Sequence, residues 1–442
     1  MAEESGHVVV VVGAGPAGLF ATRALATAGC RVLLLNRDIK PGGLAEYGIF
    51  LDKYKMKGGL RRQFQRILSD PHVTYAGNVE IGTGGDLTVD ELAAAGWDAT
   101  VFAVGAQGTK YLGIPGERLP GVHHAKDLVY HYNRLPPFAD RQYPIGRRVA
   151  IVGVGNVMVD IANYCIHYRD SDEVIAVARR GPFEKAYDDR EFEDIEDAFD
   201  RERYRQELER IRPRLAEVGQ DPDDLLRALA ERPTPFPQAR TRLVFRFLAS
   251  PRRVVDEGGR VVALEIEETR LTRQGERISA AGTGTIDRVA CDTVVFAVGD
   301  RVDEDLGLPY RDGLYVTAPG DDPAAAYCVW DPTQQTRRPG CFVVGWARRA
   351  SDGVVGRARL DAETGVKHVL AYLAERPRRP DEARARVVDE VVARLAARTP
   401  VVSHADVLRL EETERARAAA AGVEEDKFRT NQEMLQALGR PR

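Results

Sequence analysis

The sequence predicts an α/β protein with two Rossmann-like three-layer nucleotide-binding domains and a helical C-terminal tail. Three observations carry this prediction. Two glycine-punctuated turns, GAGPAG at 13–18 and GVGNVM at 153–158, each follow a valine-rich run and open a helix-spaced stretch. Three more apolar strands end in glycine: DATVFAVGA at 98–106, CDTVVFAVGD at 291–300 and GCFVVGW at 340–346. The 442 residues leave room for two or three domains with cores of their own.

Composition narrows the class. Hydrophobic residues make up 44% and charged residues 29%, as in water-soluble globular chains. A net charge of −4 and a pI near 6.1 argue against nucleic-acid binding, which needs a basic footprint. No apolar run is long enough to span a bilayer. The N-terminal MAEESGHVVVVVGAG runs from a short polar lead into a strand without a secretory or transit signal, so a cytoplasmic location is expected. The five cysteines, Cys30, Cys165, Cys291, Cys328 and Cys341, are scattered without C-x-x-C. That dispersal argues against a disulfide framework, zinc or an iron–sulfur cluster, and no metal site is expected. His123 and His124 lack further ligands at metal spacing and read as surface or linker histidines.

The first strand is HVVVVV at 7–12, continuously apolar as a buried parallel strand should be. Gly13 permits the tight turn, Gly15 lets backbone approach a pyrophosphate, and Gly18 lets the following helix pack on the strand. The helix N-terminus offers free N–H groups and the positive end of its dipole to that pyrophosphate. A second strand, RVLLLN, ends about twenty residues past the glycines, where an acidic residue usually holds the ribose hydroxyls. Here the position is Asn36, an uncharged acceptor. The strand ends at Gly105 and Gly345 leave space at the carboxyl edge of a parallel sheet.

In the second turn, RVAIVGVGNVMVDIA at 148–162, Gly153 and Gly155 are kept and Met158 fills the third glycine position. The next strand, EVIAVARRGP, ends in Arg179 and Arg180 rather than an acid. An acid there selects the free ribose of NAD, whereas arginine accommodates the 2′-phosphate of NADP through its fork of donors. Two turns therefore imply two nucleotides, one a flavin and one NADPH.

With both turns and the arginine pair in place, the chain resembles the adrenodoxin reductase family of ferredoxin–NADP reductases over nearly its whole length. The resemblance is carried by GAGPAGL (Gly13, Gly15, Pro16, Ala17, Gly18), IPGERLPGV at 114–122, GVGNVMVDIA, ARRGP, VFRFLASP at 244–251 and GWARRASDGVVG at 345–356, with EEDKFRTNQEMLQALG as the closing helix. GGL, containing Gly43 and Leu44, and YGI also resemble the flavin subunit of glutamate synthase, a wider relative whose N-terminal cysteine clusters this sequence lacks.

The resemblance implies an FAD domain built from residues 1–110 and 328–442, with an NADP domain at 111–327 inserted between them. It implies that Trp346 and Gly353, Val354 and Val355 lie against the isoalloxazine ring. Asn156 and Val157 would touch the NADP phosphates, Arg179 and Arg180 the 2′-phosphate, with Glu191 nearby. The family stretch APDHP reads FLDKY here, so Asp52 stays and Lys53 replaces the histidine on the flavin side. The implied function is electron transfer from NADPH through FAD to a ferredoxin-type partner. Direct action on a small-molecule substrate and a non-catalytic nucleotide sensor are the alternatives.

Other segments have simpler expectations. The charged stretch 184–233 reads as a solvated helical excursion, strongly acidic over 184–203. The arginines at 240–253 are the best basic docking candidates, and 319–339 reads as a loop. From 376 onward, Arg, Ala and Glu are spaced as amphipathic helices that pack over the first domain.

Overall fold

The computed structural model describes residues 6–236, 238–350 and 355–440. The chain forms two compact units. An outer unit takes the N-terminal part to Thr109, the short stretch Tyr132–Asp140 and everything from Gly299 onward. An inner unit takes Lys110–His131 and Arg141–Val298.

The outer sheet has six strands in the spatial order Cys328–Asp331, Thr336–Val343, Ala99–Phe102, Val8–Val12, Arg31–Asn36, Val73–Gly77. All are parallel except Cys328–Asp331, which pairs antiparallel at the edge. The central strand shows why valine runs without alternation. Val9 and Val11 face a cluster with Leu19 and Phe20 of the helix Pro16–Thr27 and Val366 and Val369 of the helix Val355–Ala374. Val8, Val10 and Val12 face the other layer, which includes Val388, Val391 and Leu395 of the helix Asp381–Ala396. Alternate residues of a strand point to opposite faces, so a sheet covered on both sides needs apolar residues at every position. The C-terminal tail thus supplies the third layer.

The unit limits differ from the sequence-based limits for a physical reason. Val302, Leu306, Leu308 and Tyr315 are buried in the outer core, and Asp300–Arg301 pairs with Gly108–Thr109. The chain has therefore joined the outer unit by 299, well before 328. Tyr132–Asp140 belongs there too: the Tyr132 ring meets Phe50 edge-on at 5.6 Å, and Asn133 accepts from Lys57 Nζ at 2.7 Å. The expected loop at 319–339 contains the edge strand Cys328–Asp331 and the start of Thr336–Val343, with Val329 fully buried.

The inner unit has a five-stranded parallel sheet in the order Val122–His124, Thr293–Phe296, Arg148–Val152, Glu173–Val177, Arg242–Arg246. An antiparallel sheet of Ala249–Glu257, Arg260–Gln274 and Arg277–Ala290 follows. The charged excursion is helical, as Asp189–Phe192, Arg201–Ala216 and Asp223–Glu231, but it is not simply solvated. Leu208, Ile211 and Leu215 recur at helical spacing and are 0% exposed. Among the described residues, no helix is long and apolar enough to cross a membrane.

Candidate functional site

The outer glycine turn is tight underneath and open above. Gly13 has φ +103°, and a Cβ there would lie 2.6 Å from Ala103 O. A Cβ on Gly18 would lie 1.8 Å from Gly13 O, so strand and helix touch through bare backbone. A Cβ on Gly15 would meet nothing within 4 Å. The helix begins at Pro16, has Gly15 as N-cap and carries no side-chain cap. Its first-turn N–H groups, Ala17 and Gly18 included, are left for an anion, and the open space over Gly15 suits a diphosphate.

Two other loops close on this turn. Gly42 N donates to Ala14 O at 2.7 Å. A Cβ on Gly43 would come within 2.9 Å of Gly15 Cα, just before the short helix Leu44–Tyr47. Gly345, at φ +66°, backs onto the helix start so closely that a Cβ would lie 2.5 Å from Ala17 Cβ. The turn Gly345–Ala347 holds Trp346 half-buried. Gly105, at φ +71°, lies just past the strand Ala99–Phe102. Val355 opens the helix Val355–Ala374, whereas Gly353 and Val354 lie outside the described residues.

Three side chains behave differently from the sequence expectation or were not anticipated. Asn36 is buried, and its amide serves the protein itself. Oδ1 accepts from Ala14 N at 2.9 Å, and Nδ2 donates to Asp38 O at 2.8 Å and Lys40 O at 3.2 Å. It ties the glycine turn to the loop after the second strand, a role the sequence reading as a ribose ligand did not include. Asp361, which no motif singled out, accepts from Gly345 N at 2.6 Å and binds the Arg348 guanidinium, itself over the Tyr327 ring at 4.2 Å. Glu46 is the third: Arg61 Nε donates to it at 2.6 Å and Lys427 Nζ lies 2.8 Å away. Burial alone would raise the Glu46 carboxyl, but Lys427, Lys40 and Arg61 outweigh it and hold it far below the usual range. Nearby, burial and then Lys427 push the Lys57 ammonium down to about 8. These partners are too distant in sequence for any local pattern to reveal them. Asp52, exposed, and Lys53 sit where the chain enters the helix Tyr54–Leu68, with Lys53 at its N-cap.

The inner turn repeats the design. Gly153 has φ +124°, and a Cβ there would lie 2.3 Å from Ala297 O; a Cβ on Gly155 would meet nothing within 4 Å. The helix Asn156–His167 has no side-chain cap. Val157 is 43% exposed at its start, and Met158 is fully buried. The Asn156 side chain is engaged, Oδ1 accepting from Asp188 N at 2.8 Å. Arg179 is exposed and Arg180 half-buried, and neither guanidinium has a carboxylate partner among the described residues. Their backbone is held by the antiparallel sheet and the link leading into it: Thr269 Oγ1 donates to Arg179 O at 2.7 Å and Leu248 N to Arg180 O at 3.3 Å. Glu191 lies half-buried on the helix Asp189–Phe192.

The expected basic docking segment is neutralised. Arg240 pairs with Asp172, Arg242 with Glu173, Arg246 with Glu268 and Asp287, Arg252 with Glu267, and Arg253 with Glu265. The five cysteines are buried free thiols, and burial pushes Cys165 and Cys291 up to about 12, far from thiolate chemistry.

The chain is similar to known proteins over most of its length. NADPH-ferredoxin reductase FprA of Mycobacterium leprae (strain TN) is 31% identical over 402 residues, covering 83% of this chain and 84% of that one. Human mitochondrial NADPH:adrenodoxin oxidoreductase is 28% identical over 483 residues, covering 99% and 93%. The solved structure of Mycobacterium tuberculosis FprA in complex with NADPH matches with a TM-score of 0.81 at 30% identity, covering 98% of this chain and all of that one. The sequence profile of the pyridine nucleotide-disulphide oxidoreductase family matches residues 7–203.

Proposed function

Because the chain belongs to the adrenodoxin reductase-like family of ferredoxin–NADP reductases, we propose that it passes electrons from NADPH through FAD to a ferredoxin-type iron–sulfur protein. The observation that carries this reading is the pair of uncapped, open glycine turns, only the second of which leads to two unpaired arginines. Bound FAD would supply the redox chemistry that links a two-electron hydride donor to a one-electron iron–sulfur acceptor.

The chain's own residues bind and orient. Gly13, Gly15 and Gly18 with the first-turn N–H groups of Pro16–Thr27 hold the FAD diphosphate, and the Gly43–Leu44 loop walls that site. Trp346, whose neighbour Gly345 is fixed by Asp361, would stand against the flavin ring together with Val355; the resemblance assigns Gly353 and Val354 to the same ring, but they lie outside the described residues. Asp52 and Lys53 stand on the flavin side, where Lys53 supplies a cation in place of the family's histidine. Gly153, Gly155, Asn156 and Val157 receive the NADP diphosphate, and Arg179 and Arg180 its 2′-phosphate. Glu191 completes that neighbourhood. Hydride transfer needs alignment rather than a protein acid or base. A cytoplasmic location belongs to the same reading.

The test is reconstitution. Protein loaded with FAD should be bleached by NADPH and should then support ferredoxin-dependent cytochrome c reduction. If ferredoxins and flavodoxins give no rate above that with free quinones, the small-molecule oxidoreductase reading replaces this one.

A further inference from the structure

The helix Tyr54–Leu68 has one buried and one outward face. Lys57, Phe64, Ile67 and Leu68 are buried. Lys55, Arg62 and Arg66 are exposed on the opposite side, in register with Gly58 and Gly59. Their spacing from Lys55 is four, seven and eleven residues for Gly59, Arg62 and Arg66, so they form a single stripe roughly 16 Å long at the α-helical rise. Lys55, Arg62 and Arg66 have no acidic partner among the described residues. Neighbouring charges are committed inward or sideways. Arg61 turns to Glu46 and Glu425, Glu411 accepts from Gln65 Nε2 at 3.0 Å, and Asp70 accepts from His72 N at 2.9 Å. The stripe therefore carries three cations outside any ion pair, unlike the paired arginines of 240–253, with the acidic Asp52 and Glu424 exposed near its N-terminal end.

The glycines point to an external occupant. Glycine is the poorest helix former after proline, and nothing inside this chain requires it here. A Cβ on Gly59 would meet nothing within 4 Å, and one on Gly58 only the tip of Arg62 at 3.6 Å. Two bare positions in the middle of a basic face let another surface come close to the helix backbone. Met56, 56% exposed at the margin, offers an adaptable apolar contact. The helix starts immediately after Asp52 and Lys53, so the stripe adjoins the residues assigned to the flavin side.

We propose that Lys55, Gly58, Gly59, Arg62 and Arg66 form the docking face for a small acidic electron-carrier protein. The proposal rests on the electron-transfer reading above and moves the docking site from the arginines of 240–253 to this helix. Charge attraction across such a face raises the encounter rate and weakens with salt.

The experiment compares wild type with Lys55→Glu/Arg62→Glu/Arg66→Glu in the FAD-loaded full chain, using a purified acidic [2Fe–2S] ferredoxin and cytochrome c. The triple variant should show a ferredoxin KM raised about tenfold or more and a flattened salt dependence, because steering is lost. Its NADPH KM and its rate with the uncharged quinone menadione should not change. Gly58→Ala/Gly59→Ala should raise the ferredoxin KM while unfolding at an equal or higher temperature, a combination that a folding defect would not produce. An unchanged ferredoxin KM and salt slope in the triple variant overturns the assignment, as does a larger effect from Arg240→Glu/Arg242→Glu/Arg253→Glu. A wild type that reduces menadione but no ferredoxin removes the electron-transfer reading itself, and the docking face with it.

Discussion

A guanidinium without a carboxylate partner keeps its charge and its donor fork for a ligand. Arg179 and Arg180 are in that state, although most arginines of the inner unit are paired. Each bond to a phosphate dianion is worth roughly 1.5–3 kcal/mol. Arg179→Ala or Arg180→Ala should therefore raise the KM for NADPH about tenfold or more and leave the KM for NADH nearly unchanged. Equal losses with both nucleotides would mean that the arginines hold the loop rather than the 2′-phosphate. Asn36 shows the opposite lesson at the same scale. Its position marked it as a ribose ligand, yet its amide is used within the turn, a role that position along a strand does not reveal.

Among the elements, the strands and glycine turns were legible because their signals are local. A valine run, a tight turn and a helix start lie within twenty residues, and the steric reasons for Gly13, Gly18 and Gly153 are visible in the backbone itself. The helix Arg201–Ala216 was harder, since its three-residue apolar stripe is surrounded by charges that pair along and beyond the helix. The antiparallel sheet was harder still, with much of Arg277–Ala290 polar and exposed. Its contribution to the site is an alignment one: Thr269 holds the Arg179 carbonyl, while Leu248, at φ +52° just before the sheet, holds that of Arg180. Thr269→Val keeps the shape and removes one bond worth about 0.5–1.5 kcal/mol. The ratio of kcat/KM for NADPH to that for NADH should fall about threefold to tenfold if the bond aims Arg179, as the same energy implies. A loss of thermal stability with the ratio unchanged would assign Thr269 to folding alone.

At the scale of the whole molecule, the outer unit is assembled from the two ends of the chain, and buried charge as well as apolar packing joins them. Lys427 lies 381 positions from Glu46 and donates to its carbonyl at 3.2 Å while also facing its carboxylate. Lys40 pairs with Glu414, and Arg61 links Glu46 to Glu425. Removing one member of such a buried group leaves its partners charged and uncompensated, at a cost of about 3–5 kcal/mol. Glu46→Gln should destabilise the protein on that order at neutral pH, measured by denaturant unfolding. The pH dependence gives a second signature. The Glu46 and Glu425 carboxyls are held below their unfolded value of 4.5, so the folded state binds fewer protons than the unfolded one as pH falls. Their contribution is full above that value and is lost as pH drops through and below it. Lys57 does not enter this window. With its ammonium pushed down to about 8 from 10.5, its penalty is constant in acid and is relieved only as pH rises above about 8. Wild type should therefore lose stability steeply as pH falls below 4.5, and Glu46→Gln should show a shallower fall over the same range. Parallel curves would mean that the charge cluster does not hold the two chain ends together and that the apolar layer of Val388, Val391 and Leu395 carries that task alone.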